Sequence, residues 1–167
     1  TVTFLDGKFN NGLRLQSFVA GNLNLNNVVV TGETQISDML LHGAFMANYA
    51  DLGVVLNMSY SKFLATTSIC HTKVMNLADL SNCIFIAGAK FNDCSVHSID
   101  LTKSVFLTSP EFIGTNLSEV PKEKMIYKVI RQEDVDFREK VRDLTLMNKN
   151  AGPGISCDVD RDSRVEE

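Results

Sequence analysis

The sequence predicts an all-β chain: a parallel β-helix built from a short repeat, with a C-terminal α-helical cap. Three observations carry this prediction. Over Leu77–Leu117 the large apolar residues fall at 80, 85, 91, 96, 101, 106, 112 and 117, in steps of five with two steps of six. Neither a helix, with period 3.6, nor an alternating strand, with period 2, makes such a series, whereas a fixed short repeat marks a solenoid. Second, the residue two places before each of these is often small, as at Ala78, Cys83, Ala89 and Cys94. Third, the period changes after Pro121, where apolar residues move to helical spacing.

Taken in order, residues 1–32 show the repeat in worn form. Phe4 and Phe9 are five apart, and Leu13, Phe18, Leu23 and Val28 continue as inward residues in steps of five. Asn11, Gln16, Gly21 and Asn26 then stand in the small-residue places. The many Asn residues suit repeated corners, because Asn tolerates left-handed backbone and bonds its own main chain. Val28-Val29-Val30 reads as a longer strand with Gly32 as the turn after it. Residues 33–50 settle on no frame and read as a corner insertion or a short helical turn. Ala50-Asp51-Leu52 restores the repeat, and Met58, Phe63, Ile69 and Val74 are the inward residues of a degenerate stretch over 53–76. Residues 77–117 are the cleanest.

Ala50-Asp51-Leu52, Ala78-Asp79-Leu80 and Thr115-Asn116-Leu117 share one pattern: a small residue, Asp or Asn, then Leu or Phe, followed by two variable positions. In this the chain resembles the pentapeptide-repeat proteins over about residues 4–117. The resemblance implies a right-handed parallel β-helix of square cross-section. Four pentapeptides of about 20 residues would make one coil, and each pentapeptide one side. Residues 1–120 would then form roughly six coils, a rod on the order of 30 Å long at the 4.8 Å spacing of paired strands.

Pro121 suits the first turn of a helix, where its missing N–H is harmless. Ile126, Val129, Ile130, Phe137, Val141 and Leu144 follow at helical intervals, with Lys124, Lys128, Arg131, Glu139, Lys140 and Arg142 on the other face. The domain reading is a solenoid over 1–120, a helix over 121–149 that caps the solenoid or mediates association, and a charged tail over 150–167. A β-helix ends in an open coil, so a cap meets a structural need. The 122–148 helix is equally placed to join two copies as a homodimer.

Composition narrows the function. The 167 residues are 44% hydrophobic and 22% charged, with net charge −4, no Trp, ten Phe and three Tyr. Residues 1–120 carry six basic and nine acidic residues, against ten and eleven over 121–167. Nucleic-acid binding calls for clustered Lys and Arg, which are absent here. No apolar run reaches the roughly 20 residues of a membrane span, and no basic-then-apolar leader opens the chain. The opening Thr1 reads as the start of a fragment or a processed product. Cys70, Cys83, Cys94 and Cys157 lack metal-ligand spacing. Cys83 and Cys94 read as small core residues, and reduced thiols place the chain in the cytoplasm, with delivery as a secreted effector left open.

No catalytic, cofactor-binding or metal residue is assigned, and no cofactor. His71 beside Cys70 invites a nucleophilic dyad, but neighbours on a strand point to opposite faces. His97 reads as a solvent-facing corner residue, and His42 falls in the irregular stretch. Asp51, Asp79, Asp93 and Asp100 read as carboxylates bonded to local backbone. Asp158-Val159-Asp160-Arg161-Asp162 begins like a calcium loop but has Ser163 where Gly is required. The expectation is a non-enzymatic protein–protein interaction module, a recruitment or targeting part of a bacterial, effector-like protein. Two rivals stand beside it. One is a DNA-mimicking protein that binds DNA gyrase or topoisomerase, as in the quinolone-resistance branch of the family. The other is the accessory domain of an enzyme whose catalytic part lies outside the chain.

Overall fold

The computed structural model describes residues 1–117 and 120–129, which form a parallel β-solenoid of about six turns. Each turn passes through four ladders of parallel strands, here faces I to IV in chain order. Face I stacks Val2–Thr3, Leu23–Asn24, Phe45–Met46, Thr67–Ser68 and Ala89–Lys90. Face II pairs Lys8–Phe9 with Val29–Val30 and continues through single bridges at Asp51 and Lys73. Face III stacks Leu13–Arg14, Glu33–Gln35, Val55–Asn57, Lys73–Asp79 and Ser95–Asp100. Face IV stacks Val19–Ala20, Leu40–Leu41, Lys62–Phe63, Ile84–Phe85, Ser104–Phe106 and Tyr127–Val129.

The coil is longer than the 20 residues expected of four pentapeptides. Leu23 pairs with Phe45 and Phe45 with Thr67, an offset of 22, whereas Val2 pairs with Leu23 at an offset of 21. The backbone explains the extra length. Asp6, Ser17, Asn27, Asp38, Tyr49, Tyr60, His71, Asn82, Asp93 and Lys103 all have positive φ between 49° and 61°, recurring every ten or eleven residues, and Gly114 extends the series. Each sits third in a four-residue turn, as where Val28 N–H bonds the Leu25 carbonyl and Ser104 N–H the Leu101 carbonyl. These tight turns make the I/II and III/IV corners, which a five-residue step crosses. The II/III and IV/I corners are looser, and most of their steps take six residues.

The 5–6 alternation gives residues 33–76 their frame. Ile36, Leu41, Leu52, Met58, Phe63, Ile69 and Val74 all point into the core and are buried, with Ala47 between them in the same series. The stretch 33–50 that sequence left without a frame is therefore regular: Glu33–Gln35, Leu40–Leu41 and Phe45–Met46 are three successive sides. Over 1–32 the frame is shifted by two. Leu13, Phe18, Leu23 and Val28 occupy the small-residue place, and Leu15, Ala20, Leu25 and Val30 take the following inward place. The two sides whose first residue is Phe compensate: Phe18 is followed by Ala20 and Phe45 by Ala47. One ring and one methyl group fill the interior in either order, since a core specifies volume before identity.

Face IV carries an aromatic column. Phe63, Phe85 and Phe106 stack nearly parallel, with centroids 4.8 and 4.5 Å apart. After each tight turn from Tyr60 to Gly114 a hydroxyl or thiol locks successive coils. Ser61 Oγ donates to the Ile36 carbonyl, Cys83 Sγ to Met58, and Ser104 Oγ to Leu80. At the opposite corner Thr72, Cys94 and Thr115 donate to the carbonyls of Ala47, Ile69 and Phe91. The small inward place after a turn thus answers a buried carbonyl as well as a narrow interior.

Pro121 does not end the solenoid. Lys122–Met125 form one 3-10 turn and Tyr127–Val129 pair with Ser104–Phe106, so no α-helix begins at Lys122. The remainder of the 121–149 helix and the 150–167 tail lie outside the described residues. The turn is held to the coil below by Leu101 N–H on the Lys124 carbonyl and by Lys124 Nζ on Asp100.

Candidate functional site

The inward residues are consumed by packing, which leaves the outward ones facing solvent. Nine large apolar side chains are exposed among the described residues: Leu5, Val19, Val29, Tyr49, Val54, Tyr60, Met75, Ile113 and Ile126. Six of them, Leu5, Val29, Tyr49, Val54, Met75 and Ile113, lie on face II or at its two corners. Surface apolar residues scattered singly are ordinary, but here they concentrate on one side of the solenoid.

The I/II corner is an ordered ridge. Tyr49 and His71 occupy the left-handed turn position in successive coils and stack at 4.7 Å with 10° between their planes. In the next coil Asp93 Oδ2 lies 3.7 Å from His71 Nε2. Beneath them Asn26 Oδ1 accepts from Asn48 N–H at 2.8 Å. Asn48 Oδ1 accepts in turn from Cys70 N–H at 3.0 Å and from the Ser68 hydroxyl at 2.7 Å. Left-handed backbone is costly for a ring-bearing residue. Here the turn's own bonds and ring stacking hold it in place.

The II/III corner forms the second ridge. Val54 and Met75 are 40% and 60% exposed. Met75 and Asn76 belong to an irregularity: the strand Lys73–Asp79 keeps the six-residue step, Ser95–Asp100 takes a five-residue one, and register shifts between Val74 and Leu77. The mismatch pushes Met75 outward, as bulges commonly re-aim side chains. It also leaves a small apolar cavity of about 20 Å³ beneath, lined by Val74, Ala78, Val96, Ile99 and neighbours. Between the ridges run Val29, Asp51 and Lys73, with Lys73 Nζ 3.7 Å from Asp51 Oδ2.

The residues weighed for chemistry are dispersed. His71 is stacked on Tyr49 rather than set against Cys70. His42 and His97 are exposed, on faces IV and III respectively. Asp51, Asp79 and Asp100 accept backbone N–H bonds from Gly53, Ser81 and Thr102, the local role their spacing implies, while Asp93 faces His71. Burial pushes the Cys83 thiol up to about 12 and raises that of Cys94, the opposite of what a nucleophile needs. Burial also acts to raise Asp100, but hydrogen bonds from Lys124 and Thr102 outweigh it and hold the carboxyl below its usual value. Among the described residues no group of three His, Cys, Asp or Glu side chains could hold a metal ion. No described helix is long and apolar enough to cross a membrane.

Sequence reasoning missed face II because its members are far apart in the chain. Val29, Tyr49, Val54 and Met75 become neighbours only through the 22-residue offset, and only a reading of the 5–6 alternation would have found it. No family model matches the chain, and neither a curated protein nor a solved structure does.

Proposed function

We propose that the chain is a non-enzymatic protein–protein interaction module of the pentapeptide-repeat type, a right-handed four-sided rod whose recognition surface is face II. One observation carries the reading: exposed apolar side chains gather on that face and its corners, around a charged pair, on backbone held by ladder bonds. Tyr and Met are the residue types that interfaces enrich, and a rigid scaffold reduces the entropy lost on association. The duplex-mimic reading gains no support, because Asp79 and Asp100 are engaged with their own turns and Asp100 also with Lys124. The test is quantitative capture by the immobilised full chain compared with Tyr49→Ser/Met75→Ser. Both side chains are more than half exposed and the turn keeps its backbone bonds, so the double variant is expected to fold normally and lose its bound protein. Equal capture by both would refute face II as the recognition surface.

A further inference from the structure

Resting on that reading, we infer that the occupant of face II is a second copy of this chain, seated about a two-fold axis across the rod between the third and fourth coils. The face is self-complementary about that line. Tyr49, Asp51 and Gly53-Val54 of the third coil lie beside His71, Lys73 and Met75-Asn76 of the fourth. A two-fold axis perpendicular to the rod reverses the rod direction and keeps left on left. Each residue of the third coil then meets its counterpart from the fourth coil of the other copy. Asp51 faces Lys73, Tyr49 faces His71 and Val54 faces the irregular Met75-Asn76 step, each contact occurring twice, as an isologous interface requires.

The next rungs fit as well. Val29 of the second coil meets Ser95 of the fifth, and Asn27 meets Asp93, so no like charges oppose. An axis through either of these two coils loses this. An axis through the third coil sets Asp51 on Asp51, and one through the fourth sets Lys73 on Lys73. Like-charge contacts of that kind select the register by excluding the alternatives. Within one chain the Asp51–Lys73 contact is long, and both side chains are more than a third exposed. Each therefore retains bonding capacity for a partner. The Tyr49–His71 stack is also open, with Tyr49 66% exposed.

The experiment is molar mass by sedimentation equilibrium of the full chain, wild type and variants, over a wide concentration range. Wild type is expected to be a dimer. Asp51→Lys and Lys73→Asp should each raise the dissociation constant about tenfold or more, because each creates two like-charge contacts. Mixing the two variants should restore association as a heterodimer of one lysine-rich and one aspartate-rich face. Tyr49, Lys73 and Met75 are exposed and Asp51 is half-buried, so folding is checked by circular dichroism and expected to be unchanged. A dimer that survives both substitutions, or variants that fail to complement when mixed, would overturn the inference. A monomeric wild type overturns it too. If that monomer still loses its captured protein in Tyr49→Ser/Met75→Ser, face II binds a different protein and the interaction-module reading stands. If capture is unchanged, both fall.

Discussion

Cys83 and Ser104 hold the same place in successive coils, and Ser104 Oγ both accepts the Cys83 N–H at 3.1 Å and donates to the Leu80 carbonyl. Ser104→Ala would strand two buried backbone groups and is expected to cost about 1–3 kcal/mol in denaturant unfolding. Cys83→Ser should be close to neutral at pH 7, since Ser already fills this place in the coils on either side. The thiol also sets an alkaline limit. Its folded value lies near 12 against 9.0, so its stabilising effect is complete below pH 9 and is lost as pH rises toward 12. Cys83→Ser should remove that part of the alkaline loss.

The Phe63–Phe85–Phe106 column can be tested at its middle. Phe85 is 1% exposed and contacts both neighbours face to face, as well as Phe91 edge-on. Phe85→Ala is expected to cost about 3–5 kcal/mol and Phe85→Leu markedly less, measured as a shift in urea midpoint.

Thr67 presents the opposite case. Its hydroxyl is buried among apolar neighbours without a hydrogen-bond partner, whereas Thr34, two sides away in another coil, bonds the Leu52 carbonyl at 2.9 Å. Thr67→Val keeps the shape and removes a stranded polar group, so stability should rise by roughly 1 kcal/mol. Thr34→Val should lower it.

Two glycines separate corner strain from corner room. At Gly53, φ is +75° and an added Cβ would lie 2.2 Å from the Gly32 carbonyl oxygen. Gly53→Ala should destabilise by about 1–3 kcal/mol or more. At Gly88 an added Cβ meets nothing within 4 Å, and Gly88→Ala should be neutral or stabilising by about 0.4–1 kcal/mol. Thermal unfolding of the two variants reads the difference.

The Asp100–Lys124 contact gives an acid-side prediction. The folded carboxyl titrates below its ordinary value of 3.8. Its contribution is therefore complete above that value and disappears as pH falls through the lower folded one. Asp100→Asn should be less stable than wild type at neutral pH, with the gap narrowing on acidification. Equal gaps at all pH values would mean that the contact contributes nothing through charge.

The inward pattern was legible, and its period less so. Leu80, Phe85, Phe91 and Leu101 announced a solenoid because each falls on a fixed step and is buried. The frame over residues 13–28 was misplaced because Leu23 and Val28 are as apolar as the Leu25 and Val30 beside them. When both inward places are bulky, size no longer distinguishes them. The left-handed turns were hidden for another reason. Asn27 and Asn82 advertise such a corner, but Tyr49 and His71 hold it through stacking and ladder bonds, and Tyr60 through a ladder bond, that no local propensity records. The helix expected from Lys122 failed because Tyr127 and Val129 find strand partners in Val105's neighbours Ser104 and Phe106, and pairing overrides spacing.

Two tight corners per coil make the half-turn, eleven residues, the grain of this molecule. That grain constrains how such a chain can change its length. Inserting or deleting a full coil keeps every later side chain on its own side of the rod. An eleven-residue change preserves the core just as well, because the inward order of five and six is unaltered. Yet everything beyond it swings to the opposite flank, and the surface around Asp51 and Lys73 is cut in two. Heritable length variation should therefore arrive in whole coils, not because half-coils misfold, but because they would fold and face the wrong way.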